Sequence, residues 1–182
     1  MARVLIVVDV QEKLLPLVHG WRSVLVNIVK LVKAAKILRI PIVATEQYPK
    51  GLGRMVKELS ELLEAQPLEK TTFSCFGAPG FEEEIRRLSA RELIIAGIEA
   101  HVCILQTALD ALRRGYRVVV PADAVGSRRE LDWRIALERM RAWGVDVVTA
   151  EMLIFELLRD AARPEFKDIL KLVKEDEKAF KR

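Results

Sequence analysis

The chain has 182 residues, enough for one sizeable core, so we expect residues 1–182 to form a single domain with residues 164–182 as a C-terminal helical extension. Lysine and arginine total 30 against 26 acidic residues, and the net charge of +4 is spread without a basic arm, so we expect no nucleic-acid partner. Because the sequence has neither a signal peptide nor an apolar run of roughly 20 residues, we expect a cytoplasmic protein without membrane contact.

The first third of the chain alternates between strand and helix patterns. The apolar run Val4–Val8 is typical of a buried parallel strand and ends at Asp9. Apolar residues at helical spacing then predict a helix over residues 21–38. A second strand is predicted over residues 42–45, a loop over 46–53 and a short helix over 55–63.

The middle third contains the stretch around which we expect the fold to be organised. A short strand over residues 66–70 delivers Lys70, and a charged helix follows over residues 80–88. The apolar run from Leu93 predicts a strand that is buried on both faces and is broken at Gly97. A helix then begins with Cys103 in its first turn, where free backbone N–H groups and the helix dipole should lower the thiol pKa.

The last third repeats the alternation. It predicts strands over residues 116–120 and 145–148, helices over 131–143 and 152–159, and a final amphipathic segment in which residues 166, 169, 170, 173 and 180 are apolar. The predicted fold is therefore α/β, a doubly wound six-stranded parallel sheet with helices on both faces, as in Rossmann-like folds.

Three chemically active side chains follow strands of this predicted sheet. Asp9, Lys70 and Cys103 should meet at the carboxyl edge, where ligands of such sheets bind. A thiol can attack an electrophilic carbon, a carboxylate can take the thiol proton and pass it on, and an ammonium can offset both charges. A cysteine at a helix start is more often a small buried apolar residue, so the prediction depends on the coincidence of all three.

The three motifs resemble those of the isochorismatase-like cysteine hydrolase superfamily, which includes nicotinamidases. They are Asp9 in Val-Asp-Val-Gln, Lys70 in Glu-Lys-Thr-Thr-Phe-Ser, and Cys103 in Gly-Ile-Glu-Ala-His-Val-Cys. The resemblance extends from Val4 to about Leu158. The loop over residues 46–53 and the Ser127-Arg128 pair look most like the subgroup of uncharacterised isochorismatase-domain hydrolases.

The resemblance implies a mechanism. It assigns Asp9, Lys70 and Cys103 as a catalytic triad that cleaves a small amide-like substrate through a thioester intermediate. It also implies a cis peptide bond between Ile98 and Glu99, with the N–H groups of Glu99 and Cys103 as the oxyanion hole. The C-terminal segment and the exposed faces of the outer helices could support assembly, so we expect a homo-oligomer, either a dimer or a tetramer.

The sequence departs from the nicotinamidases in two places. Their metal-binding Asp and His residues lie in the loop after the second strand, where this chain has Glu46, Gln47 and Tyr48. The chain contains only two histidines, so we predict no metal and no other cofactor. The Thr-Asp pair that commonly precedes the cysteine reads Ala100-His101 here.

We predict that five residues line a pocket for a small-molecule substrate: Gln47, Tyr48, Phe73, His101 and Trp21. Two of them have alternatives, because Trp21 could simply anchor its helix and His101 could act as a second base or lie at the surface. Cys75 could line the pocket, although a buried structural thiol is the simpler interpretation.

Other functions stay open at the level of sequence. An isochorismatase-type vinyl-ether hydrolase would not need the cysteine. A phosphatase or dehalogenase with an aspartate nucleophile would need a second Asp where this chain has Gln11. A non-catalytic oligomeric binding protein would keep the fold and show an ordinary Cys103 pKa.

Overall fold

The computed structural model describes residues 2–179, and side chains as far as residue 174. Its strands are β1 (Arg3–Val8), β2 (Ile42–Gln47), β3 (Leu68–Lys70), β4 (Glu92–Ile98), β5 (Arg117–Pro121), β6 (Val125–Gly126) and β7 (Asp146–Val148). They form one parallel sheet in the order β3-β2-β1-β4-β5-β7, with β6 paired to β4. The predicted parallel α/β fold is confirmed, with one very short strand added.

Over residues 2–179, eight helices cover the sheet. They are α1 (Trp21–Ile37), α2 (Pro49–Leu52), α3 (Lys57–Ser60), α4 (Phe81–Arg87), α5 (Leu105–Arg113), α6 (Glu130–Ala142), α7 (Ala150–Leu158) and α8 (Phe166–Ala179). A π-helical turn, Ala100–Ile104, leads into α5. Within the part of the chain that the structure describes, no helix is long and apolar enough to span a membrane.

Side chains alternate between the two faces of the sheet and build two apolar layers. In β1, Leu5 and Val7 face the layer formed with α1, α7 and α8, whereas Val4, Ile6 and Val8 face the layer formed with α4, α5 and α6. All five are at most 2% exposed. Burial on both faces is the reason that the sequence of this strand is continuously apolar rather than alternating.

Several element boundaries differ from the sequence predictions. Glu46 and Gln47 belong to β2, because they pair with Glu69 and Lys70 of β3, and the predicted loop is reduced to Tyr48 and α2. The predicted helix over residues 55–63 is only α3, since Met55 forms an isolated antiparallel bridge with Gln11. Polar and hydrogen-bonded residues at these positions obscure the strand pattern.

Gly97 does not end the central strand, contrary to the sequence prediction. It has φ +125° and pairs with both Val8 and Val125, and β4 continues to Ile98. A Cβ atom at this position would collide with the backbone of Val8. Glycine therefore allows β1 and β4 to approach closely beside the site, and the chain turns only after Ile98.

The C-terminal amphipathic segment packs on the body of the protein. Ile169, Leu172 and Val173 of α8 are buried in the layer that includes α1 and α7. Phe180, which we grouped with this apolar face, lies outside the described residues.

The strand order places the chain's active groups at one edge. After β1 the chain builds outward through β2 and β3, then returns to β4 on the other side of β1. The carboxyl ends of β1 and β4 therefore border the point at which strand order reverses. Asp9 directly follows β1, and the π-helical turn that carries Cys103 follows β4.

Candidate active site

Asp9, Lys70 and Cys103 converge on one buried point. Lys70 Nζ lies 2.7 Å from Asp9 Oδ2 and 3.6 Å from Cys103 Sγ. The three residues are 0%, 3% and 5% exposed, respectively. Cys103 also forms a side-chain hydrogen bond with Asp9, so each member of the group contacts the other two.

The backbone at Asp9 directs its carboxylate across the sheet edge. Asp9 has φ +54°, in the left-handed region that aspartate tolerates better than most side chains. Its Oδ1 accepts a hydrogen bond from Thr45 Oγ1 at 2.7 Å, while Oδ2 accepts from Lys70. Both carboxylate oxygens are therefore held by donors from β2 and β3.

Lys70 is held by more acceptors than its three N–H bonds can serve. Besides Asp9 and Cys103, Nζ donates to Gln47 Oε1 at 2.6 Å and to the carbonyl oxygens of Thr72 and Phe73 at 3.2 and 3.0 Å. Burial alone would lower the pKa of Lys70, but the charges of Asp9 and Cys103 outweigh it, so the pKa is raised. Lys70 is therefore a fixed cation and not a base.

The predicted lowering of the Cys103 pKa is wrong. Burial, followed by the negative charge of Asp9, raises the pKa of the Cys103 thiol far above its ordinary value, and the Lys70 ammonium opposes this shift without overcoming it. The helix-start argument considered only the local backbone and omitted both the burial and the carboxylate. The resting group is consequently a thiol hydrogen-bonded to Asp9.

The Gln47 side chain holds Lys70 in place and is not free to face a substrate. Its Oε1 accepts from Lys70 and its Nε2 donates to the Thr71 carbonyl oxygen at 2.8 Å. Gln11 is fully buried. Its side chain accepts a hydrogen bond from the Gln47 N–H and donates to the carbonyl oxygens of Gln47 and Gly53. Gln11 is the last residue of the Val-Asp-Val-Gln motif, and the motif alone did not predict this structural role.

Two of the predicted pocket residues are exposed aromatic residues whose backbones contact Lys70. Tyr48 is 54% exposed and Phe73 is 52% exposed. Tyr48 N–H donates to the Lys70 carbonyl oxygen at 2.9 Å, and the Phe73 carbonyl accepts from Lys70 Nζ. A side chain at Gly51 would collide with the Tyr48 ring, so this glycine fixes where the ring lies.

His101 and Glu99 are each tied to the segment that follows β6. His101 Nδ1 lies 2.9 Å from Ser127 Oγ, and the ring is half-buried. Glu99 Oε1 accepts from the N–H and from Nε of Arg128, both at 3.0 Å. These contacts hold the part of the turn that precedes Cys103, and the peptide bond between Ile98 and Glu99 is cis.

Trp21 occupies a different environment from the triad. It begins α1 and packs against the apolar layer on the opposite face of the sheet from Cys103. The Arg22 guanidinium lies 4.6 Å from the centre of its ring. The structure thus gives Trp21 a role in anchoring α1 and does not bring it to the triad.

The position that corresponds to the nicotinamidase metal loop holds an ion-pair cluster instead. Glu46 is buried, and its carboxylate accepts from Met55 N–H at 2.6 Å and from Arg54 at 2.8 Å. Arg54 also contacts Glu69 at 2.6 Å. Among the described residues, no three His, Cys, Asp or Glu side chains are grouped so that they could hold a metal ion.

A family model identifies the family to which the chain belongs. The isochorismatase domain model matches residues 3–152, most of the chain. The chain belongs to the isochorismatase domain family. This match includes all three residues of the triad and confirms the resemblance inferred from the sequence motifs.

Individual members of the family are similar over nearly the whole chain. Isochorismatase domain-containing protein 2 from Bos taurus is 44% identical over 168 residues, which cover 92% of this chain and 80% of the relative. A solved structure described as a MAR1 ribonuclease from Caenorhabditis elegans is 40% identical with a TM-score of 0.89, covering 94% and 89% of the two chains.

Two structures of YcaC proteins are also similar. The protein from Pseudomonas aeruginosa, described with hexane-2,5-diol and covalent acrylamide, is 26% identical with a TM-score of 0.89, covering 100% of this chain and 95% of the other. The protein from Escherichia coli, described as an octameric hydrolase of unknown specificity, is 25% identical with a TM-score of 0.86, covering 98% and 95%.

Proposed function

We propose that this member of the family is a metal-independent cysteine hydrolase that acts on a small amide-like substrate. The observation that carries the proposal is the position of Lys70 Nζ, within contact of both the Asp9 carboxylate and the Cys103 sulfur in a site closed to bulk water. A thiol, a proton acceptor and a fixed cation at one point are the components of nucleophilic acyl transfer.

The reaction follows from the resting arrangement. As Cys103 Sγ attacks the carbonyl carbon, its S–H bond breaks and the proton moves to Asp9. Lys70 stabilises the negative charge that passes between oxygen and sulfur. Collapse of the tetrahedral intermediate breaks the C–N bond, Asp9 returns the proton to the leaving amine, and a thioester to Cys103 remains.

Hydrolysis of the thioester repeats the sequence with water. Asp9 takes a proton from the attacking water molecule, the C–S bond breaks, and the proton returns to the sulfur as the carboxylic acid leaves. In both halves we assign the N–H groups of Glu99 and Cys103 to the developing oxyanion. Tyr48, Phe73 and His101 complete the proposed substrate pocket, and neither a metal nor another cofactor takes part.

The raised pKa of Cys103 is compatible with this mechanism. A thiol that is protonated at rest does not react indiscriminately, and it becomes a nucleophile only when Asp9 accepts its proton. The covalent acrylamide of the similar Pseudomonas aeruginosa protein supports the presence of an electrophile-reactive group on this fold.

Capture of the thioester tests the proposal. The protein is incubated with a panel of small amides, ureas and esters, quenched in acid and weighed by intact mass spectrometry. We expect an adduct with the mass of the acyl group that is released by hydroxylamine, is absent in Cys103→Ala and persists in Cys75→Ala. Hydrolysis that survives Cys103→Ala would replace the proposal with a cysteine-independent reaction, such as vinyl-ether cleavage.

RNA belongs in the same panel because the Caenorhabditis elegans relative is described as a ribonuclease. We expect no cleavage, since the carboxylate and ammonium side chains are fully buried and the net charge is small. RNA cleavage that requires Asp9 and Lys70 but not Cys103 would contradict the cysteine mechanism.

Saturable binding of the panel without turnover or an adduct would indicate a binding protein.

We also propose that the protein forms a homo-oligomer. Leu131 and Ile135 lie one turn apart on α6 and are 57% and 49% exposed, which is unusual for large apolar side chains on one helix face. The similar Escherichia coli protein is described as octameric. Light scattering during gel filtration should give a multiple of the 20.7 kDa chain mass, and Leu131→Asp combined with Ile135→Asp should lower it.

A further inference from the structure

A second group of buried polar side chains lies behind Asp9, and the mechanism proposed above does not use it. Thr45, Cys75 and Thr107 come from β2, the turn Cys75–Gly77 and α5, and all three are fully buried. Thr45 Oγ1 lies 2.7 Å from Asp9 Oδ1 and 3.7 Å from Cys75 Sγ. Cys75 N–H donates to Thr107 Oγ1 at 3.0 Å, which holds the cysteine in place.

The number of hydrogens fixes the direction of these contacts. A threonine hydroxyl has a single hydrogen, and an ionised carboxylate can only accept. The Thr45 hydrogen is therefore committed to Asp9 Oδ1, and a lone pair of Thr45 Oγ1 faces Cys75. Towards Cys75, Thr45 can then act only as an acceptor, so the hydrogen bond between them uses the S–H of Cys75, whose other side-chain partner is Thr107. The group runs in one direction, from Cys75 through Thr45 to Asp9.

The direction of these hydrogen bonds determines which oxygen of Asp9 takes the Cys103 proton. If the proton settled on Oδ1, Thr45 would have to accept from Asp9 and turn its hydrogen towards Cys75, whose own hydrogen would then have only Thr107 as an acceptor. Placing the proton on Oδ2 leaves every partner in position. Oδ2 is also the oxygen that shares the Lys70 ammonium with Cys103 Sγ.

We propose that Thr45 and Cys75 are positioning residues that reserve Asp9 Oδ1 as an acceptor and so direct the Cys103 proton to Oδ2. The Cys103 S–H bond breaks, an O–H bond forms at Oδ2, and the electron pair stays on sulfur for attack. The inference rests on the proposed role of Asp9 as proton acceptor. It gives a function to the second cysteine, which never contacts the substrate in this scheme.

The rate of Cys103 alkylation depends on pH through the charged and titratable groups that face Asp9. They are Lys70 from β3, Cys103 from the π-helical turn and Cys75 from the turn after β3. The uncharged Thr45 contributes a hydrogen bond to the ionised carboxylate. Its loss leaves Oδ1 free to take the proton in place of Oδ2, so the Cys103 thiol should react more slowly.

Alkylation of Cys103 by acrylamide, followed by mass mapping of the peptide, measures this effect without an identified substrate. In Thr45→Val, which keeps the shape but loses the hydroxyl, the rate of Cys103 alkylation should fall about fivefold. In Thr45→Ser, which keeps the hydroxyl, the rate should stay within about twofold of the parent. Indistinguishable rates for the parent, Thr45→Val and Thr45→Ser would overturn the inference.

Cys75 provides an independent pair of variants if Thr45→Val does not fold. Cys75→Ala removes the donor to Thr45 and should slow alkylation of Cys103 about fivefold at the plateau, whereas Cys75→Ser keeps a donor and should react within about twofold of the parent. Equal rates for alanine and serine would overturn the inference.

The parent protein and Asp9→Asn separate this inference from the proposed function. Failure of the proposed function appears as Cys103 alkylation in the parent that does not change with Asp9→Asn. Failure of the positioning role alone appears as strong dependence on Asp9 together with no difference between the threonine and cysteine pairs.

Discussion

The two cysteines offer a natural comparison, because both are buried and both lie close to the same carboxylate. Burial raises the pKa of Cys75 to about 11, and it also raises the pKa of Cys103. The difference lies in their neighbours. Cys103 contacts Lys70 and hydrogen-bonds Asp9, whereas Cys75 is enclosed by the hydroxyl groups of Thr45 and Thr107.

Under the proposed mechanism, the contacts of a thiol rather than its pKa decide which of the two reacts. A nucleophile needs a base that takes its proton and a cation that stays while charge develops, and only Cys103 has both in direct contact. It also retains 5% exposure at the carboxyl edge, whereas Cys75 has none. The four predictions below test this contrast, beginning with the largest effect.

The largest difference should appear in labelling of the native protein. Cys103 should react with acrylamide at neutral pH at least about 100-fold faster than Cys75, because general-base assistance by Asp9 is worth roughly 10²–10⁴-fold. Mass mapping of the two cysteine peptides over time measures both rates in one sample. Equal labelling of the two thiols, or preferential labelling of Cys75, would contradict the assignment of Cys103.

Removal of the shared cation should affect both stability and reactivity. Lys70→Ala leaves a buried carboxylate without its ion partner, which should lower the free energy of unfolding by about 3–5 kcal/mol. Chemical denaturation near neutral pH measures the loss. The matched control is Lys33→Ala on the exposed side of α1, which should change stability by less than about 0.5 kcal/mol.

The variant also distinguishes the two thiols, provided that it folds. Alkylation of Cys103 should slow by an order of magnitude or more in Lys70→Ala, since its developing thiolate loses the contacting cation. The already slow rate of Cys75 should change little. If both rates rose together, local unfolding would explain the labelling.

The raised pKa of Cys75 predicts a loss of stability in alkaline solution. The folded state holds the Cys75 proton from the ordinary value of 9.0 up to about 11, whereas the unfolded state releases it at the lower value. The stabilising contribution is therefore complete below the lower value and is lost as pH rises through this window, by about 2–3 kcal/mol. Denaturation curves at intervals from about pH 8 to 11 measure the slope.

Cys75→Ala is the matched comparison for that slope. It should unfold more easily than the parent at about pH 8, because it leaves a small cavity, but its stability should fall less steeply with pH. Identical slopes would show that Cys75 titrates normally in the folded state.

The smallest effect concerns His101, which lies two residues from Cys103. If the ring only holds the segment that follows β6, His101→Ala should change the alkylation rate of Cys103 by less than about 10-fold and leave the acidic limb of its pH profile in place. A larger loss that follows histidine titration would establish a second base beside Asp9. The matched variant Ser127→Ala, which removes the contact partner of His101, should reproduce the small effect.

The part of the site that could be predicted from the sequence lies at the ends of the buried strands. The runs before Asp9, Lys70 and Cys103 predicted strands, and the rule for parallel sheets placed their carboxyl ends together. The same pattern did not predict β6, which is two residues long and pairs through its backbone. It also assigned Gln47 to a loop, because nothing local reveals a partner strand that begins 21 residues later.

The sequence was enough to predict the parallel α/β architecture and the meeting of Asp9, Lys70 and Cys103, because continuous apolar runs must be buried on both faces and must then deliver the polar residues that end them. The folded structure was needed to establish the direction of the Cys103 pKa shift, the contacts of Gln47 and the chain of contacts from Cys75 to Asp9. These properties arise between residues 9, 45, 70, 75 and 103, which fold into hydrogen-bond contact from positions far apart. Burial and charge at that point depend on all five together, and no local pattern contains them.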